Sequence, residues 1–214
     1  MKSINKKHKL LYQQKDFPLF QNRMYETEQN AIDCPKANIY LVQDQDTGLI
    51  YNLDFNPELM VYDKHYQNEQ AVSPSFQKHL DSVVKIVKKG LGSKSLVEVG
   101  CGKAYFLELL QSKGVEITGF DPTYEGKNKS IERNYFKKGV GVEADGLILR
   151  HVLEHIQNPI EFLQELSIAN KEKGRVYIEV PCFDWIVENK AWYDIFYEHV
   201  NYFRLSDLNN IFGN

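Results

Sequence analysis

The sequence predicts an α/β protein built on a doubly wound, mostly parallel sheet. Two observations carry that prediction. From Ser73 onward, short apolar runs alternate with segments whose apolar residues recur at helical spacing. The first of those runs leads directly into a glycine turn and then a helix, the junction at which open α/β sheets hold ligands.

Taken in order, Phe76, Leu80, Val83, Val84 and Val87 mark one face of a helix that Gly90 and Gly92 are expected to close. Ser95 to Val99 reads as a buried strand, followed by Gly100-Cys101-Gly102. Phe106, Leu107, Leu109 and Leu110 continue as a helix that Gly114 ends, and Val115 to Phe120 reads as the next strand, ending on Asp121-Pro122. The link from Asp121 to Gly146 is short, so the strand within it is expected to be small or missing. Gly146 to Leu149 is a strong strand, and Ile160, Phe162, Leu163 and Leu166 mark a helix. Arg175 to Val180 forms a further strand before Pro181, and Ser206 to Asn210 begins a last helix.

Residues 1–72 have another texture, polar and tyrosine-rich. Ile39 to Val42 and Leu49 to Tyr51 flank the turn-forming stretch Asp44 to Gly48, which predicts a hairpin. The expected division is therefore a small irregular appendage over 1–72 and a main domain over 73–214.

With 214 residues and 43% of them hydrophobic, the chain can bury the core of one domain plus that appendage. A net charge of −3 gives no electrostatic reason to expect nucleic acid as a partner. No run approaches the roughly 18 to 20 apolar residues that would span a bilayer. Lys2, Lys6, Lys7 and Lys9 precede no apolar run or cleavage site, so no secretory signal is expected. Cys34, Cys101 and Cys182 are isolated from one another and suggest neither a disulfide framework nor a zinc knuckle. A reduced, cytoplasmic setting is the expectation.

At the glycine turn, Gly100 and Gly102 remove side chains where a ligand must approach the backbone. Asp121 follows Gly102 by 19 residues, the distance at which a carboxylate can accept hydrogen bonds from both hydroxyls of a ribose. The glycine spacing is G-x-G-x-A, not the G-x-G-x-x-G of dinucleotide sites. Glu98, just before the turn, fits poorly beside a pyrophosphate but suits a cationic sulfonium amino acid. S-adenosylmethionine is thus favoured over a nicotinamide cofactor.

Val97 to Phe106, Gly119-Phe120-Asp121-Pro122 and Leu149 to Ile156 with Asn158-Pro159 together resemble class I S-adenosylmethionine-dependent methyltransferases. More narrowly, Ile178 to Pro181 and Tyr197 to Phe203 resemble the branch containing sugar C-methyltransferases of deoxysugar and polysaccharide pathways. The resemblance covers residues 58–210. It implies that Glu98, Gly100, Cys101 and Gly102 line the methionine portion of S-adenosylmethionine, with Asp121 and Pro122 at the ribose. Arg150 and His151 would sit beside the methyl donor. Glu198 and His199 match an active-site pair in which the histidine is the base, with His151 the second candidate. Phe196 and Tyr197 would lie on the substrate side. The acceptor implied is a small molecule, a sugar or nucleotide-linked precursor of a surface polysaccharide such as capsule, and a homodimer is left open.

The chain departs from that branch at three points. Phe196 stands where a tyrosine is expected, three positions before the histidine, which favours O-methylation over C-methylation. Gln43 to Asp46 stand where the branch clusters cysteines, so no structural zinc is expected; no metal ligand is assigned, although Leu153-Glu154-His155 is similar to a segment that holds a divalent cation in some quinone-pathway O-methyltransferases. The antiparallel strand pair that usually follows the fifth parallel strand is expected to be missing, as in a fragment or a chain completed by another copy. A non-catalytic cofactor- or partner-binding module is therefore the alternative, and an NAD-dependent oxidoreductase a distant third.

His151-Val152-Leu153-Glu154-His155 also matches H-x-x-E-H, in which histidines four apart on a helix share a zinc ion. Asn158-Pro159 interrupts any such helix almost at once, so His155 is expected instead to hydrogen-bond a neighbouring backbone group and lock the loop. Most of the aromatics around His199 are expected to be core, and Lys127, Lys129, Arg133, Lys137 and Lys138 a solvated face.

Overall fold

The protein is described by a computed structural model covering residues 7–61 and 73–213. Lys2, Lys6 and the expected boundary at residue 72 lie outside the described residues. In chain order the elements are β1 (His8–Pro18), α1 (Glu28–Ile32), β2 (Lys36–Asp44), β3 (Ile50–Asn52), α2 (Pro74–Leu91) and β4 (Leu96–Val99). They continue with α3 (Tyr105–Ser112), β5 (Ile117–Phe120), β6 (Ile131–Glu132), β7 (Gly146–Arg150), α4 (Pro159–Ala169), β8 (Arg175–Glu179), α5 (Phe183–Glu188), β9 (Asn201–Tyr202) and α6 (Leu205–Phe212).

The described chain forms two compact units. One holds residues 7–61 with Glu154–Gln157 and 180–213; the other holds 73–153 and Asn158–Glu179. This differs from the division expected at residue 72, and β9 supplies the reason. It pairs antiparallel with β3, Ile50 against Tyr202 and Tyr51 against Asn201, so the end of the chain completes a sheet begun near its start.

In the second unit five strands form a parallel sheet in the order β6-β5-β4-β7-β8, the Rossmann-like arrangement the sequence predicts. The central strands β4 and β7, apolar but for Glu98 and Arg150, are almost wholly buried because helices cover both faces. On one face α2 and α3 bring Leu80, Val83, Val84, Val87, Phe106, Leu107 and Leu110 against Leu96 and Ile148. Val97, Val99 and Leu149 point the other way, toward Leu166 and Ala169 of α4, as the two-residue repeat of a strand requires. Two expectations need refinement. The helix α2 runs through Gly90 and is capped by Gly92 alone. The strand between Asp121 and Gly146 exists but has only two residues, β6.

In the other unit β1, β2, β3 and β9 make a four-stranded sheet in that order. The predicted hairpin is β2 and β3, with Gly48 at positive φ in its turn. Ile39, Leu41, Ile50, Phe55, Tyr197, Val200 and Tyr202 form its core. Strand β1 was not signalled by periodicity: its residues are exposed almost throughout, and two register irregularities interrupt its pairing with β2. Backbone pairing rather than side-chain burial defines it. Among the described residues no helix is long and apolar enough to cross a membrane.

Candidate active site

The bend between β4 and α3 is fixed by its backbone. Gly100 has φ +71° and a Cβ there would lie 2.7 Å from Val152 Cγ2, so both conformation and space require glycine. Gly102 has φ +54°, but a Cβ there would meet nothing within 4 Å. The first glycine serves packing, and the second leaves an open approach to the backbone. Ala104, fully buried, opens α3 in the left-handed region at φ +69°, where glycine would be the easier residue.

Asp121 closes this bend from the end of β5. Its Oδ2 accepts the Gly102 N–H at 2.8 Å, and its Oδ1 accepts from the Thr123 N–H at 2.8 Å and the Thr123 hydroxyl at 2.7 Å. The carboxylate is therefore buried and aimed at the glycine turn, not into solvent. Three of its roughly four acceptor positions are used within the chain. Pro122 follows it on the surface.

Glu98, in β4, is 3% exposed, and its Oε2 has no hydrogen-bond partner among the described residues. Burial pushes its carboxyl up to about 8; the Arg150 guanidinium opposes the rise, while Glu179 and Asp121 add to it. Burial, reinforced by Glu98 and Asp121, pushes the Cys101 thiol up to about 12. Cys101 thus lines the bend as a neutral thiol and is no nucleophile.

At the end of β7, Arg150 is held by Glu179 of β8, its Nε donating to Oε2 at 2.8 Å, and it lies over the Phe106 ring at 4.3 Å. His151 adopts φ +52°, its backbone N–H donates to the Glu179 carbonyl at 2.9 Å, and its Nε2 lies 3.5 Å from Glu179 Oε1. His79 of α2 reaches the same carboxylate at 2.6 Å. Burial would raise the Glu179 pKa, but hydrogen bonds from His151, Arg150 and His79 outweigh it and hold the carboxyl well below the usual range. The sequence reading quoted Glu179 only as part of a motif; an acid closing a strand beside one that ends in Arg-His was the available signal.

In the other unit, Phe196, His199 and Tyr202 pack together, with the Phe196 and His199 ring centroids 3.9 Å apart. Glu198 is buried; its Oε2 accepts the Gln21 N–H at 2.9 Å, and its Oε1 has no hydrogen-bond partner among the described residues. His155 Nδ1 bonds the Glu198 carbonyl at 2.9 Å, the loop-locking contact expected of it. Tyr197 corrects the reading of a substrate residue. It is 0% exposed, and its hydroxyl accepts from the Asn56 N–H at 2.8 Å and reaches the Asp54 carbonyl, so it is core. The H-x-x-E-H motif set Glu154 beside His151 and His155; in the structure its neighbours are instead His155 and His199, and ligand atoms of these three all lie within 4.8 Å of one another. His151 is not among them, so the H-x-x-E-H spacing does not place its two histidines on one ion.

A family model described as "Methyltransferase domain" matches residues 62–214. The chain belongs to this methyltransferase family. No curated protein matches. Among solved structures, a SAM-dependent methyltransferase from Archaeoglobus fulgidus is 21% identical, with a TM-score of 0.46, over 66% of this chain and 73% of that one. Magnesium protoporphyrin IX methyltransferase from Synechocystis PCC 6803, with bound SAH, is 18% identical, with a TM-score of 0.44, over 64% of this chain and 71% of that one. A plantazolicin methyltransferase in complex with a triazolic desmethylPZN analogue and SAH is 18% identical, with a TM-score of 0.49, over 65% of this chain and 63% of that one.

The cofactor of this methyltransferase is S-adenosylmethionine, and the bend fits it on its own chemistry. Gly102 leaves its backbone approachable, Asp121 keeps acceptor capacity beside it, and Glu98 offers a buried carboxyl with one oxygen that has no hydrogen-bond partner among the described residues. A cationic amino acid headgroup would stabilise the ionised form of Glu98, which burial alone disfavours. The exposed Lys127, Lys129, Arg133, Lys137 and Lys138 form the solvated face expected of them.

Proposed function

We propose that this methyltransferase transfers a methyl group to a hydroxyl of a sugar or nucleotide-linked precursor of a surface polysaccharide. The observation that carries the cofactor half of this reading is the Gly102 N–H bound to the Asp121 carboxylate across an open glycine bend. The acceptor half rests on the likeness of Tyr197 to Phe203 to the sugar branch. Phe196 supports O-transfer over C-transfer, because a phenyl ring packed at a tilt against His199 brings no phenol hydroxyl to that position.

Glu98, Gly100, Cys101 and Gly102 hold the methionine portion in this reading, and Asp121 with Pro122 the ribose; Arg150 and His151 border the methyl donor. Bound there, S-adenosylmethionine supplies an electrophilic methyl on a sulfonium. The chain's own part is positioning and proton removal. Glu179 fixes Arg150 and the His151 backbone in place. His199 takes the acceptor's hydroxyl proton, a task suited to an imidazole at neutral pH. Its ring is held by Phe196 and Tyr202, and Glu198 anchors the same segment through Gln21.

The test uses methyl-labelled S-adenosylmethionine and a panel of nucleotide-linked sugars. Label should appear on a sugar oxygen, and His199→Ala should lower turnover on the order of 10²- to 10⁴-fold with affinity for S-adenosylhomocysteine unchanged. Near-normal turnover in that variant would remove His199 as the base. Cofactor binding without transfer to any acceptor would favour the non-catalytic module.

A further inference from the structure

We infer that Glu154, His155 and His199 form a site for a zinc-class divalent cation. The donor set is two imidazoles and one carboxylate, a combination that binds Zn²⁺ while leaving a fourth position open. All three groups belong to one compact unit, and their ligand atoms lie within 4.8 Å of one another. A zinc ion bonded to three such atoms spaces them roughly 3.3 to 3.5 Å apart. Side-chain shifts on the order of 1 Å therefore close the set.

A second observation, independent of that proximity, prepares His155 for the role. Its Nδ1 is engaged by the Glu198 carbonyl at 2.9 Å. With the proton on Nδ1, the bond fixes the ring and leaves the Nε2 lone pair as the one available to a ligand, the usual outer-shell arrangement of a metal-bound histidine. His199 is oriented in its turn by packing against Phe196 at 3.9 Å and by edge contacts with His155 and Tyr202. Glu154 is 1% exposed, and a buried carboxylate is stabilised by a cation close by. The site is not the helical H-x-x-E-H arrangement, since His151 is engaged with Glu179 and His199 arrives from a distant part of the chain.

The inference stands apart from the acceptor reading, but it touches it at one atom. A zinc ion on His199 takes up the lone pair that proton removal needs. Zinc is thus expected to suppress methyl transfer as it fills the site, and a chelator to restore it.

The experiment titrates the full chain with Zn²⁺ alone against a chromophoric chelator. One Zn²⁺ per chain is expected, with affinity at least tenfold weaker in Glu154→Gln and in His155→Ala, each checked for retained fold by circular dichroism. Co²⁺ loading of the unaltered chain gives a second readout that needs no variant: visible d–d bands of a four-coordinate nitrogen–oxygen site. No stoichiometric Zn²⁺ binding, or binding that both variants leave undiminished, overturns the site. Zinc bound with those variant effects but with full methyl transfer supports the site and removes His199 as the base, so the two failures are told apart.

Discussion

Glu98 and Gly102 are single residues whose properties set what the bend can do. The Glu98 carboxyl is raised from an ordinary value of 4.5 to about 8, so the folded chain holds its proton more tightly than the unfolded chain does. Its contribution to stability is complete below pH 4.5 and is lost as pH rises through about 8. Thermal melts of the chain without cofactor should lose stability across that window, on the order of a few kcal/mol in total. Glu98→Gln, neutral throughout, should flatten the decline; an unchanged pH dependence in that variant would place the titration elsewhere. The two glycines separate packing from binding. Gly100→Ala combines a left-handed φ with a contact at 2.7 Å and should destabilise by about 2 kcal/mol or more. Gly102→Ala meets no neighbour and should cost only about 1 kcal/mol in stability. Its affinity for S-adenosylhomocysteine should nevertheless fall more than tenfold. Equal binding by wild type and Gly102→Ala would show that no ligand approaches there.

At the scale of elements, the sheet is set by strands that enter and leave it at defined points. Asn170, fully buried after α4, accepts the Ala144 N–H at 2.7 Å and donates to the Ala144 and Lys173 carbonyls, each at 2.8 Å. It therefore ties the end of one helix to the entry of β7. Asn170→Ala strands buried backbone groups and should lower stability by about 2 to 4 kcal/mol in a denaturant titration; a loss under about 1 kcal/mol would mean water replaces the amide. Elements of this kind differ in how far sequence exposes them. The strands β4, β5, β7 and β8 and the helices α2, α3 and α4 were legible because each buries a regular apolar face. Strand β1 was not, because HKLLYQQKDFP buries little and is held by backbone pairing with β2. Likewise β6 is two residues long, too short for any periodicity to register.

Over the whole molecule, the division into two units was the least legible feature. The pairing of β9 with β3 joins residues about 150 apart, and no local pattern in Asn201-Tyr202 announces it. The bend between β4 and α3 was legible because its signal is local: two glycines, an acid before them and an acid one strand later, with Gly102 and Asp121 brought together by a hydrogen bond. The Glu154, His155 and His199 grouping was only half legible, since two members are adjacent in sequence and the third is distant. Tyr197 shows the opposite error, a residue that resembles a substrate contact by position but whose hydroxyl is used within the fold. Both errors arise from long-range packing, which a motif does not encode.

The central claim is that the bend between β4 and α3, gripped by Asp121, holds an adenosyl amino acid. Calorimetric titration with S-adenosylhomocysteine, run on the native chain and on Asp121→Ala, tests it most directly. The account predicts one molecule bound per chain, at least tenfold tighter in the native protein than in Asp121→Ala, and no comparable heat from NAD. The absence of binding, equal affinity in the variant, or tighter binding of NAD would contradict it.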